Sequence, residues 1–213
     1  MKAKMKPRMF KNPIMELLSL SGPILMVSYH LIVSSILLSY GYNLLHLDNS
    51  MYLLIGLFFS GIICWTLAEY ILHRYLFHLE SENSFIKAFH YAMHGYHHEK
   101  PNDVNRLFMP PVPVTLFLIA FFGLFYLIMG KYVWIFLPGF EIGYLMYSFI
   151  HYSIHTRNSP KLLQRIWSNH VLHHYGEADK AFGVSSILWD KIFSTLPQAS
   201  VAQNVKTEEN KDL

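Results

Sequence analysis

Four stretches of this chain are too long and too evenly apolar to fold in water. They run from 14 or 20 to 42, from 52 to 72, over 114–129, and from 132 to about 149. A helix needs about 20 apolar residues to cross the hydrocarbon core of a bilayer. The first two runs meet that length. The last two, of roughly 16–20 residues, suit either full spans or a hairpin that only partly crosses. A run that is apolar all round has no face to give to water. The expected fold is therefore an all-α integral membrane protein of about four transmembrane helices. Composition agrees, with 53% hydrophobic and 15% charged residues.

Charge orients the runs. Lys2, Lys4, Lys6, Arg8 and Lys11 precede the first run, and no small-residue cleavage pattern follows it. Residues 1–13 are thus expected to form a cytoplasmic, membrane-facing tail under the positive-inside rule. The loop at 42–51 holds Asp48 and no Lys or Arg, and the turn at Gly130-Lys131 adds one basic residue. Two hairpins then return the chain twice to the side where it started. Residues 14–196 form one membrane domain and 197–213 a polar, frayed tail. The net charge of +3 is spread too thinly for nucleic-acid binding. The lone Cys64, inside an apolar run, excludes a disulfide framework or thiolate cluster.

The other departure from the ordinary is histidine. There are 13, and 11 lie between positions 73 and 174. Positions 90, 94, 97 and 98 fall within about 100° of one another on a helix. His151 and His155 share a face, as do His170, His173 and His174. His73 and His78 would stand about 140° apart on an ideal helix, so the helix is expected to end between them. All four clusters lie at run ends or in segments on one side of the membrane, so they can meet. A surface gains nothing from stacked titratable rings, whereas a metal gains nitrogen ligands. His30 and His46 are isolated and expected to serve packing or interfacial roles.

Setting His90 aside, ten imidazoles remain: His73, His78, His94, His97, His98, His151, His155, His170, His173 and His174. One metal takes four to six ligands. Ten rings suit two metals with about five each and an open position for an exogenous ligand. Imidazole accepts zinc, copper, nickel and iron alike, and zinc displaces ferrous iron during purification. Hydrolytic zinc sites need three or four ligands and a carboxylate base, so ten rings at a bilayer surface point to two oxygen-activating irons. Glu69, Asp103, Glu177 and Asp179 are placed to accept the distal ring N–H groups, though each suits a solvated carboxylate equally well. His90 is expected beside the ligands without being one. Glu141, an ionisable residue of the fourth run, suits either a functional group near the mouth of the site or an interfacial carboxylate, and the second is favoured.

Residues 69–78 read EYILHRYLFH, and 94–98 read HGYHH, followed by Asp103 and by RLFMPP over 106–111. HYSIH at 151–155, HVLHHY at 170–175 and FGVSSILWDKIFST at 182–195 complete the pattern. Over about residues 60–196 the chain resembles the fatty acid hydroxylase superfamily of integral-membrane di-iron oxygenases. The stretches at 106–111 and 182–195 resemble its fatty acid and sphingolipid 2-hydroxylase branch. The resemblance implies that the ten histidines hold two irons in a helical cap on the cytoplasmic face. It also implies O2-dependent hydroxylation beside the carboxyl of a long acyl chain, free or in a ceramide-like lipid. Many eukaryotic members carry a b-type cytochrome domain for which this chain has no room. Electrons are then expected from a separate b-type cytochrome or ferredoxin with its reductase, at a bacterial inner membrane or the endoplasmic reticulum. A sterol or carotenoid hydroxylase or desaturase is the alternative within the superfamily. A metal transporter would instead place its ligands near the bilayer midplane.

Overall fold

The structure, a computed structural model, describes residues 8–197. Lys2, Lys4, Lys6 and the tail beyond 197 lie outside the described residues. Helices account for the fold, with no strand among the described residues. In order they are α1 (Pro13–Leu18), α2 (Pro23–Leu45), α3 (Met51–Ile71), α4 (Ser84–His90), α5 (Tyr96–Glu99), α6 (Pro111–Met129), α7 (Val133–Thr156), α8 (Gln164–Tyr175) and α9 (Leu188–Ile192).

The first apolar run is split where the sequence breaks it. Asn12 caps α1, accepting from the amides of Ile14 (2.9 Å) and Met15 (3.2 Å), with Pro13 as the first helical residue. The span proper begins only at Pro23, after Gly22. Pro fits a first turn because its missing N–H would have no partner there. Ser50 caps α3 through the amide of Leu53. Between α6 and α7 the chain turns at Gly130, whose φ of 57° and ψ of −133° only glycine adopts without strain.

Three stretches are long and apolar enough to cross a membrane: Pro23–Leu45, Met51–Phe77 and Val104–Thr156. The third holds both α6 and α7, so the four apolar runs become four helices. α6 and α7 fold back on each other as a hairpin. Ring centroids lie 4.7 Å apart for Phe122 and Trp134, and 4.8 Å apart for both Phe125–Phe136 and Phe121–Phe140.

The decisive packing is between α3 and α7. A Cβ on Gly139 would collide with the Phe58 carbonyl oxygen, and one on Gly61 with that of Phe136. Further along, Gly143 lies against Trp65. The two helices therefore touch backbone to backbone and run parallel. In lipid the hydrophobic effect does not drive helices together, and close contact at small residues supplies the attraction instead. α2 runs antiparallel to α7, with Gly41 against Trp134 and His30 and Ser34 against Glu141. Because α3 and α7 are parallel, their C-terminal ends emerge together, one carrying His73 and His78, the other His151 and His155.

Candidate metal centre

Beyond Ile71 the helix of α3 does not end between His73 and His78, as ideal geometry suggested. It widens into a π-helical turn over Leu72–Phe77. Turns closed by i→i+5 hydrogen bonds are wider than α turns, so residues five apart come closer to one face. The x4 spacing of these two histidines thus suits a π turn, and their ring centroids lie 5.1 Å apart. A second π turn, Tyr91–Gly95, interrupts what the sequence presented as one α-helical face from His90 to His98. His90 is left half-buried on the near side of it, its ring passing beside Gly95.

The ten remaining imidazoles fall into two groups of five. His73, His78, His94, His98 and His173 form the first, and His97, His151, His155, His170 and His174 the second. Within each group the candidate ligand atoms all lie within 4.8 Å of one another. Sequence neighbours separate: His97 and His98 go to different groups, and so do His173 and His174. Adjacent residues on a helix point about 100° apart, while residues four apart stay aligned. Each His-His pair therefore serves both groups, and helices α5 and α8 bind the two together.

The nitrogens converge as ligands of one ion would. Nε2 atoms approach to 3.0 Å for His73 and His94, 2.9 Å for His94 and His98, and 2.9 Å for His97 and His151. In the second group His170 lies 3.0 Å from His155 and 3.1 Å from His174. Two nitrogens each about 2.1 Å from one ion, at right angles, stand about 3 Å apart. Nε2 of His78 and of His173 and Nδ1 of His170 and of His174 are buried without hydrogen-bond partners. A donor set of five neutral imidazoles per group fits a divalent metal.

Electrostatics keep the rings neutral. Burial first, then the neighbouring rings, hold His94, His97 and His170 well below the usual histidine range. Burial pushes His78 and His98 down to about 4 and His173 to about 3, with adjacent histidines adding to the effect. His90 is among the groups depressing His78 and His98, so it borders the first group without joining it.

Glu69 and Asp103 do not hold the distal ring nitrogens in the way the sequence suggested. Backbone carbonyls do: Nδ1 of His73 donates to Phe182 (2.6 Å), Nδ1 of His173 to Lys180 (2.7 Å), and Nδ1 of His151 faces Leu107 (3.4 Å). Those bonds fix the tautomer and turn Nε2 inward. Glu69, buried at 3% exposure, acts on the loop that supplies two of these carbonyls. It accepts from the amides of Val184 (2.6 Å) and Ser185 (2.9 Å) and from the Ser185 hydroxyl. Asp190, absent from the sequence reading, holds the same loop through the amides of Phe182 (3.0 Å) and Gly183 (2.9 Å). Asp103 instead accepts from Tyr96 and pairs with Arg106, which also binds Glu16 of α1. Glu177 pairs with Lys180 (3.1 Å), and Asp179 is exposed.

A cavity of about 420 Å³ leads away from the histidines into the helical bundle. His73, His94, His97 and His151 line its head, and mostly apolar side chains of α3, α6 and α7 line the rest. Glu141 and His30 also line it. Both are buried, Glu141 at 0% and His30 at 1% exposure. Of the two placements open to Glu141, the interfacial one fails: it sits within α7 on the cavity wall, bonded to His30 and Ser34 of α2. The signal available was an ionisable residue inside an apolar run.

The chain is similar to known proteins. Rat fatty acid 2-hydroxylase is 39% identical over 147 residues, covering 67% of this chain and 40% of the relative. A dihydroceramide fatty acyl 2-hydroxylase of Arabidopsis thaliana is 37% identical over 145 residues, covering 67% of this chain and 61% of the relative. The chain thus spans less than two thirds of either protein's length. A solved structure of full-length scs7p, with only its hydroxylase domain visible, superposes with a TM-score of 0.81 at 28% identity. That match covers 89% of this chain and 71% of the other. The sequence profile of the fatty acid hydroxylase family matches residues 58–195, a span that takes in both histidine groups and the loop that orients them. The chain belongs to the fatty acid hydroxylase family.

Proposed function

We propose that this protein is a membrane monooxygenase that hydroxylates the carbon beside the carboxyl of a long acyl chain. The acyl chain is free or amide-linked in a ceramide-like lipid. The observation that carries this reading is two groups of five imidazoles opening onto one deep apolar cavity. The relatives named for 2-hydroxylation of fatty acids and of dihydroceramide support the same substrate class.

In this reading His73, His78, His94, His98 and His173 hold one iron, and His97, His151, His155, His170 and His174 the other. Zinc occupies the sites when iron is lost in purification. When bound, the two irons supply the redox chemistry that reduces O2 with two external electrons and two protons, giving the hydroxylated lipid and water. The chain's own residues do the rest. The Phe182 and Lys180 carbonyls hold His73 and His173 with their lone pairs facing inward. The cavity takes the acyl tail from the bilayer, aligns one carbon with the histidines and excludes water from the reaction.

Electrons come from a separate donor, a b-type cytochrome or a ferredoxin with its reductase. The site lies on the cytoplasmic face, because Arg74, Lys100, Arg157 and Lys161 sit at the histidine end and Lys131 at the opposite turn. The membrane is a bacterial inner membrane or the endoplasmic reticulum, and residues 14–196 act as one hydroxylase unit. Mass spectrometry of lipids from cells expressing the chain tests the reading. Acyl chains bearing a 2-hydroxyl are expected. Ring-hydroxylated sterols or carotenoids without them would overturn it.

A further inference from the structure

Glu141, His30 and Ser34 form a polar cluster inside the bundle that helix packing does not require. His30 and Ser34 are one helical turn apart on α2, and both face Glu141 on α7. Nδ1 of His30 lies 3.2 Å from one carboxyl oxygen, and the Ser34 hydroxyl donates to the other at 2.8 Å. Buried ionisable pairs rarely stabilise a fold better than apolar residues of the same volume. Inside a membrane segment they mark a function.

The cluster is incomplete by one hydrogen bond. Nε2 of His30 is buried without a partner, and His30 and Glu141 both line the cavity that begins at the histidine groups. If the proton shared with Glu141 sits on His30 Nδ1, Nε2 is an acceptor. If Glu141 carries it, Nε2–H is a donor. A hydroxyl satisfies either arrangement because it both donates and accepts. A carboxylate would meet Glu141 as a like charge, and a bare methylene chain would leave Nε2 unpaired.

Position fixes where on the lipid that hydroxyl must lie. The ten residues of α7 from Glu141 to His151 rise about 15 Å. An extended hydrocarbon chain, with bonds of about 1.52 Å at about 111°, advances about 1.25 Å per bond. The polar cluster therefore stands about twelve carbons beyond the carbon that faces the histidines. We propose that His30, Glu141 and Ser34 form a second recognition site, selecting acyl chains that carry a hydroxyl about a dozen carbons from the reacting carbon. The proposal rests on the acyl-hydroxylase reading for its substrate class, and it adds a specificity that reading does not contain.

Competition tests it on the full chain in lipid nanodiscs. Equal amounts of a plain 2-hydroxylatable fatty acid and the same acid bearing a hydroxyl about twelve carbons from the reacting carbon are offered together. Bound lipid is read by native mass spectrometry, and product by lipid analysis after O2 and a reduced ferredoxin or b-type cytochrome with its reductase are supplied. The wild-type protein is expected to retain the hydroxylated chain over the plain one by roughly tenfold, the effect of one hydrogen bond in an apolar site. In His30→Phe the ratio should fall to near one. Equal retention by the wild-type protein overturns the inference, with water as the partner of Nε2, whatever the fate of the variant. Absence of 2-hydroxy product from both chains overturns the acyl-hydroxylase reading instead. The binding ratio stands apart from that result.

Discussion

His98 and His174 stack nearly face to face, their ring centroids 4.3 Å apart and their planes 23° from parallel, although they belong to different histidine groups. Each ring is thus both a candidate ligand of one centre and a wall of the other. The spacing of the two centres is set by this stack and by the two His-His pairs that send one ring to each group.

Loss of a single ring should therefore empty one centre before the other. In His94→Ala the first group loses the ring whose Nε2 lies closest to those of both His73 and His98. The metal content is expected to fall from about two per chain to about one, and hydroxylation by at least a hundredfold. Membrane insertion should be unchanged. His173→Ala should do the same. Elemental analysis of the purified variants, beside an activity assay, checks it, and retained activity in either would count against the ligand assignment.

Glu69 bonds to Val184 and Ser185, and so holds the loop whose carbonyl orients His73. Glu69→Gln keeps the volume but replaces an acceptor of two amides and a hydroxyl. Loss of such outer support typically costs 10–100-fold in metal affinity. A chelator titration should show a weakening of about that size, and an unchanged affinity would contradict the role assigned to the loop.

Acid should destabilise the metal-free protein. His78 and His98 are held near 4 in the fold, against about 6.5 in an unfolded chain. Above that upper value both states are neutral and the shift has no effect. As pH falls below about 6.5 the unfolded chain takes protons that the fold refuses, so stability drops until about pH 4. Thermal melts of chelator-treated protein from pH 7.5 to 4 check the window. Stability that rises over that range would be inconsistent with buried neutral rings.

The parallel contact of α3 and α7 has its own test. In Gly139→Val the new side chain meets the Phe58 backbone, which cannot yield as a flexible side chain would. Overpacking of this kind costs about 1–3 kcal/mol or more. A lowered melting temperature in detergent is expected. Gly123→Val should have little effect, since nothing lies within 4 Å of the position.

Much of this was legible in the sequence. Apolar run lengths gave the helices, and histidine spacing pointed to ten rings gathered at one end. Three things were not. The π turns at Leu72–Phe77 and Tyr91–Gly95 break the 3.6-residue period on which sequence reading depends, so the helix was expected to end between His73 and His78, and the face from His90 to His98 looked continuous. The carbonyls of Phe182 and Lys180 carry no side-chain identity, so carboxylates were assigned their task. The pairing of His30 with Glu141 spans 111 residues, and nothing local in either run announces the other.

The metal-to-chain ratio of anaerobically purified protein, measured by elemental analysis, bears most directly on the ten-histidine arrangement. The two five-ring groups predict a ratio close to two, and the proposed function predicts that the metal is iron. A ratio near zero in protein that still hydroxylates lipid would contradict the account.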